Sequence, residues 1–191
     1  MDLVKIFITA FLIDNIVILR FIALCPFIGM SSDEDKSVGM GLAVIFVTVL
    51  ATCVTWTVFN FVLAPLNLEF LRILSFVLIV ASLVQLVEYY LKKAAPKLYS
   101  AMGIFLPLIA TNCAICAVIL ENIDRNYNLI ESIVYAVGVS SGFLLAMLLL
   151  AGIRKRIRTS PIPGFLKGTP ILFICTCLLS MAFMGFSGLI K

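Results

Sequence analysis

An all-helical integral membrane protein is what this sequence predicts, on three observations. Of its 191 residues, 63% are hydrophobic and 13% are charged, with a mean hydropathy of +1.19, whereas a soluble domain carries roughly 25% charged and 45–50% apolar residues. The apolar residues fall into six runs, each near the ~20 residues that cross a bilayer as a helix. Most charged residues fall in the short connections between them. In hydrocarbon every backbone polar group must be satisfied within the chain, which leaves the α-helix as the structure for runs of this length.

The six segments span approximately 3–24, 38–63, 70–91, 99–120, 129–152 and 169–190. The first carries Asp14, Asn15 and Arg20 within an otherwise apolar run and leads into Leu24-Cys25-Pro26-Phe27-Ile28-Gly29. Pro26 removes a backbone donor and is expected to interrupt the helix. The second contains Cys53 and Trp56, and the third ends with Gln85, Glu88, Tyr89 and Tyr90. The tryptophan and tyrosines suit interfacial anchoring. The fourth is interrupted by Pro107 and carries Thr111-Asn112-Cys113-Ala114, with Cys116 three residues further on. In the fifth, Gly138 and Gly142 form a small-residue seam for close helix contact. The sixth holds Cys175, Cys177, Gly185 and Gly188.

The connections are Ser31 to Ser37, Pro65 to Glu69, Lys92 to Lys97, Glu121 to Asn128 and Arg154 to Gly168. They are too short to build a nucleotide, NAD or flavin fold. The whole chain, 1–191, therefore reads as one membrane domain. The first segment lacks a basic start and a small-residue cleavage site, so no cleaved leader is expected. The net charge of +4 points to no nucleic-acid partner and acts instead through its placement next to membrane lipid. Lys36, Lys92, Lys93, Lys97, Arg154, Lys155, Arg156, Arg158 and Lys167 fall in the first, third and fifth loops, against Lys5, Arg72, Arg125 and Lys191 on the other side. The positive-inside rule then puts both termini outside the cytoplasm.

Cys25 and Cys113 stand 88 residues apart at the two interruptions and divide the chain into halves of about 1–95 and 96–191. Three segments per half force the second half to enter the membrane upside down, the arrangement of inverted repeats with broken helices. A free cysteine in an apolar helix is ordinarily a small hydrophobe, which is the simpler account of Cys53, Cys175 and Cys177. Cys116, three residues after Cys113, can share its helix face and is a rival ligand. Structural zinc and ordinary [2Fe-2S] clusters take four thiolate or imidazole ligands. The chain has no histidine, so a complete site within it is not expected, and a site shared with a partner protein is.

Leu24-Cys25-Pro26-Phe27-Ile28-Gly29, Gly103-Ile104-Phe105-Leu106-Pro107-Leu108-Ile109 running into Thr111-Asn112-Cys113-Ala114, and Met181-Ala182-Phe183-Met184-Gly185-Phe186-Ser187-Gly188 together resemble the A-type subunits of Rnf electron-transport complexes. The likeness extends to Pro65-Leu66-Asn67 and Leu71-Arg72 and covers essentially the whole chain. The E-type subunit of the sodium-pumping NADH:quinone reductase is similar, but usually carries threonine after the first cysteine, where this chain has Pro26. The resemblance implies six helices in inverted repeats in a prokaryotic cytoplasmic (inner) membrane. It implies a homologous partner of opposite orientation, the E-type Rnf subunit, alongside the B, C, D and G subunits of the Rnf complex. It also implies a [2Fe-2S] cluster shared between the two homologous subunits, with Cys25 and Cys113 as the iron ligands from this chain. Cys116 stands where the family often has an aliphatic residue, and Ala110 where threonine is common.

The activity so implied belongs to an ion-translocating ferredoxin:NAD oxidoreductase, in which this chain relays electrons and is not catalytic alone. Thr111 and Asn112 are candidate hydrogen-bond donors to the cluster, since such bonds tune its potential. Arg20 is a candidate for offsetting the cluster's negative charge, against a snorkelling role. Asp14 and Asn15 are candidates for an ion path, because an intramembrane carboxylate is a functional candidate by default; packing polarity between helices is the blander account. The competing function is an ion-path or secondary-transporter subunit with incidental cysteines. A thiol at both breaks and the lack of multiple midplane carboxylates weigh against it.

Overall fold

Where described, the apolar runs form helices, and no strand occurs among the described residues of the computed structural model, which are 3–13, 15–30, 34–63, 72–94, 112–159, 161, 163, 166 and 168–185. In chain order, α1 (Leu3–Ile8) continues into a π-helical stretch (Thr9–Ile13), followed by α2 (Ile16–Arg20), α3 (Leu24–Met30) and α4 (Glu34–Val58), which itself runs into a π-helical stretch (Phe59–Leu63). Then come α5 (Arg72–Ala94), α6 (Cys113–Asp124), α7 (Leu129–Arg158) and α8 (Thr169–Met184). Of these, the stretches Ser37–Phe61 and Leu129–Arg158 are long and apolar enough to cross a membrane, and Leu3–Leu12, Ile73–Tyr89 and Thr169–Met184 are shorter apolar helices. Asp14, Pro107 and Thr111 lie outside the described residues, as do 64–71, 95–111 and 186–191.

α4 and α7 pack against each other most extensively and form the centre of the fold. Met40, Val44, Val47 and Ala51 of α4 join Phe143, Ala146, Met147 and Leu150 of α7 in one apolar cluster, to which α5 adds Phe76, Val80 and Val84. The opposite faces are apolar too: Leu42, Phe46, Leu78, Leu86 and Met181 all point outward. Exposed apolar surface on this scale is stable only against lipid tails or partner helices. α7 continues as helix through Arg158, past the apolar run that ends at 152. Its last turn carries Lys155, Arg156 and Arg158, cations that complement the negative end of the helix dipole.

Segment one takes a less regular path than one proline would impose. The helix ends at Ile13, restarts at Ile16, and leaves helical geometry again between Arg20 and Leu24. Phe21 and Ala23 there have positive φ, 54° and 67°, a conformation that costs energy without glycine and persists only where surrounding packing imposes it. Pro26 lies inside α3, in its first turn, where the missing N–H has no helical partner to lose. The interruption therefore precedes the proline.

α7 is the ruler for this path. A Cβ at Gly138 would lie 2.9 Å from the Ala10 Cβ and 3.2 Å from the Phe7 carbonyl oxygen, and one at Gly142 would lie 2.9 Å from the Phe11 carbonyl oxygen. The N-terminal part of segment one thus rests directly on the glycine seam. Further along, Arg154 donates to the Ile28 carbonyl at 3.0 Å. Segment one runs beside α7 from the seam to the basic last turn, a rise of roughly 18 Å between residues 142 and 154 at 1.5 Å per residue.

Candidate functional site

Asn15 is the pivot of the first interruption. Its side-chain oxygen accepts from the Val17 and Ile18 amides, at 3.2 and 3.5 Å, and so caps α2. Its Nδ2 donates to the Gly142 carbonyl at 3.0 Å. The residue is buried, and each polar group of its carboxamide has a backbone partner. Its structural role is to close the break and dock it on α7.

The start of α6 is capped in the same way. Asn112 precedes α6, and its Oδ1 accepts from the Ala114 amide at 3.0 Å, while its carbonyl accepts from the Ile115 amide at 3.1 Å. Here, however, Nδ2 is buried without a hydrogen-bond partner, on a residue only 1% exposed. An unpaired buried amide costs roughly 1–3 kcal/mol, so a donor adjacent to Cys113 is available to a further acceptor.

The two cysteines occupy matching positions. Cys25 is the second residue of α3 and Cys113 the first of α6, and both are exposed. Cys116, one turn along α6, is half-buried, as are Cys53 and Cys175, while Cys177 is exposed. Among the described residues no group of three or more His, Cys, Asp or Glu side chains is placed to hold a metal ion. A pair of outward-facing thiols fits half of a four-thiolate set, and not a complete one.

Arg20, Glu121, Arg125 and Tyr135 form a polar cluster that sequence reasoning does not assemble. Arg20 Nη1 donates to Glu121 Oε1 at 2.6 Å, and Arg125 Nη2 reaches the same oxygen at 3.3 Å. The Tyr135 hydroxyl donates to Glu121 Oε2. The Arg125 guanidinium also lies 5.3 Å from the Tyr135 ring centroid and 6.0 Å from that of Tyr127, within cation–π range. Burial works against the Arg125 charge, yet its hydrogen bond to the Tyr127 hydroxyl and the nearby carboxylate leave its pKa raised. Glu121 and Arg125 are four apart on one helical turn, a spacing visible in the sequence. Arg20 is 101 residues from Glu121, and no local pattern announces that pair.

The ion pair has a geometric consequence. Arg20 closes α2 five residues before Cys25, and Glu121 stands on the helix that begins with Cys113. The helix that begins with Cys113 is therefore tied by Glu121 to α2, the helix that precedes the one bearing Cys25, and to Tyr135 of α7.

The sequence matches a known family over residues 3–190, described as "Rnf-Nqr subunit, membrane protein". The chain belongs to the Rnf-Nqr family. It is accordingly an integral membrane protein, as its apolar helices require. It is 48% identical over 189 residues to the A subunit of the Na(+)-translocating ferredoxin:NAD(+) oxidoreductase complex of Acetobacterium woodii, covering 99% of this chain and 98% of that one. It is 46% identical over 189 residues to the A subunit of the ion-translocating oxidoreductase complex of Syntrophotalea carbinolica, with coverage of 99% and 98%. Against the corresponding protein of Vibrio cholerae the identity is 46% over 180 residues, 94% of this chain and 93% of the relative. These Rnf-Nqr relatives carry the A-type designation that the motifs around Cys25 and Cys113 resemble.

Proposed function

We propose that this chain is the A-type membrane subunit of an ion-translocating ferredoxin:NAD oxidoreductase. In this reading Cys25 and Cys113 supply two of the four ligands of a [2Fe-2S] cluster inside the cytoplasmic membrane. A homologous protein of opposite orientation, the E-type subunit of the complex, supplies the other two, and the B, C, D and G subunits complete the assembly. When bound, the cluster accepts and passes on one electron at a time.

The observation that carries the reading is the pair of exposed thiols, each in the first turn of a helix, in a chain of this family. Exposure of both thiols leaves them accessible to a partner. Asn112 holds the start of α6 with its oxygen and keeps an unpaired amide next to Cys113, a donor suited to sulfur. Arg20 and Glu121 position the approach to Cys25 against α6. Asn15 locks the upstream break to Gly142. α3, α4 and α5 and then α6, α7 and α8 repeat an order of short, long and intermediate helices, which supports six crossings in two inverted halves. The basic residues of the first, third and fifth loops support placing both termini outside the cytoplasm.

The test is purification of the assembled complex followed by assay of iron, acid-labile sulfide and the paramagnetic signal of the reduced state. Cys25→Ser and Cys113→Ser each abolish the intramembrane cluster, whereas Cys116→Ser leaves it. A full cluster in both of the first two variants would sink the assignment.

A further inference from the structure

Three helices meet at a small pocket that holds four polar side chains. It encloses about 10 Å³ and is lined by Thr52 and Thr55 of α4, Asn122 of α6 and Ser132 of α7, with Trp56 and Ile119 beside them. All four polar side chains are at least nine-tenths buried, Thr52 at 2%, Thr55 at 1%, Asn122 at 4% and Ser132 at 0% exposure. None of Thr52 Oγ1, Thr55 Oγ1, Asn122 Oδ1, Asn122 Nδ2 and Ser132 Oγ has a hydrogen-bond partner. Trp56 does not supply one, since its indole N–H donates to the Tyr127 carbonyl at 3.2 Å.

The state of these hydroxyls is unusual for this chain. A helical serine or threonine can donate to the carbonyl one turn back. Thr48, Thr57, Ser140, Ser141 and Thr176 all do so, at 2.6 to 2.9 Å. Thr52 and Thr55 forgo that bond and face the pocket. Each polar atom orphaned away from water carries a desolvation penalty, and one shared guest removes it for most of them.

The donor set selects the guest. Three hydroxyls can donate or accept, Asn122 Oδ1 accepts, and Asn122 Nδ2 donates. A bare cation would face the amide hydrogens and place its charge in a pocket without a carboxylate, at a large desolvation cost. A water molecule both donates and accepts and satisfies up to four such groups. A site of roughly 10–15 Å³ holds one. We infer that this pocket is a built binding site for a single water molecule, which joins α4, α6 and α7 through hydrogen bonds none of the three helices makes alone.

The test uses the purified complex and has two arms. In a high-resolution map, one peak stands within about 2.7–3.2 Å of at least three of the four side chains, equally in sodium-free and sodium-containing preparations. No peak, or one that requires sodium, overturns the inference. In thermal unfolding, Thr55→Val, Asn122→Leu and Ser132→Ala each lower the midpoint, by about 2–4 °C or more, because each deprives the water of a partner. The combined Thr52→Val/Thr55→Val/Asn122→Leu/Ser132→Ala variant regains most of that loss, since replacing all partners by apolar groups of similar shape leaves nothing orphaned. Losses that add up in the combined variant, or single variants with no loss, overturn it as well.

Discussion

Adding one methyl group at Gly142 tests how segment one is seated. A Cβ there would lie 2.9 Å from the Phe11 carbonyl oxygen, 3.1 Å from Asn15 Nδ2 and 3.6 Å from the Ala10 carbonyl oxygen. Two of these three neighbours are backbone atoms, which cannot swing aside as a flexible side chain can. The π-helical stretch must therefore move away from α7, stretching the Asn15–Gly142 hydrogen bond of 3.0 Å. Overpacking of this kind costs about 1–3 kcal/mol. Against it stands the gain from replacing glycine in a helix interior, about 0.5–1 kcal/mol. Gly142→Ala is thus expected to lose about 1–2 kcal/mol, a drop of roughly 2–8 °C in the unfolding midpoint for a chain of this size. Gly152 provides the control on the same helix, because nothing lies within 4 Å of a Cβ there. Gly152→Ala keeps only the propensity gain and should hold or raise the midpoint. The assay is thermal unfolding of the purified complex, with both variants measured in parallel. A Gly142→Ala midpoint equal to or above that of Gly152→Ala would refute the close seating of segment one on the seam.

Three further outcomes follow from the same geometry. Asn15→Ala removes both the cap of α2 and the buried bond to Gly142, and should cost about 1–3 kcal/mol, read as a lowered unfolding midpoint and faster proteolysis near residues 14–23. Glu121→Gln weakens the hold on Arg20, Arg125 and Tyr135. With Arg20 43% and Arg125 34% exposed, solvent screening limits the loss to about 1 kcal/mol, and it should shrink further at high salt. Asn112→Ser keeps an acceptor for the Ala114 amide and removes the unpaired amide donor. The proposed intramembrane cluster should persist with a lowered reduction potential, since fewer hydrogen bonds to sulfur favour the oxidised form. An unchanged potential in redox titration would remove Asn112 from the tuning role.

The readable and unreadable parts of the fold divide along a physical line. The long helices at 34–58 and 129–158 are legible because about twenty predominantly apolar residues in a row have few alternatives in hydrocarbon. The Gly138–Gly142 seam is legible for a related reason: two small residues one turn apart make a flat strip on a helix. In the sequence Pro26 marks the point of interruption, yet the break lies ahead of it. Prolines in a helix's first turn and those that disrupt a helix look identical in sequence, and only the geometry of Phe21 and Ala23 separates them. Arg20 reads in sequence as a charge near Cys25 with no partner in view. Its carboxylate lies on another helix, and a side-chain pair 101 residues apart has no periodicity to betray it. The pocket between Thr52, Thr55, Asn122 and Ser132 is invisible for the same reason, since four ordinary polar residues become a site only when three helices converge.

By itself, the sequence determined that this protein lives in a membrane as helices and that it belongs among Rnf-type subunits, and it singled out Cys25 and Cys113 as candidate ligands. Those properties are local, set by residue type and spacing along the chain. Tertiary structure alone decided that Asn15 closes its break on Gly142, that Arg20 and Glu121 tie α2 to the helix that begins with Cys113, and that Asn112 keeps a buried donor unpaired beside Cys113. Hydrogen bonds and ion pairs between distant residues depend on which helix faces meet, and that choice is made by the packing of α4 on α7.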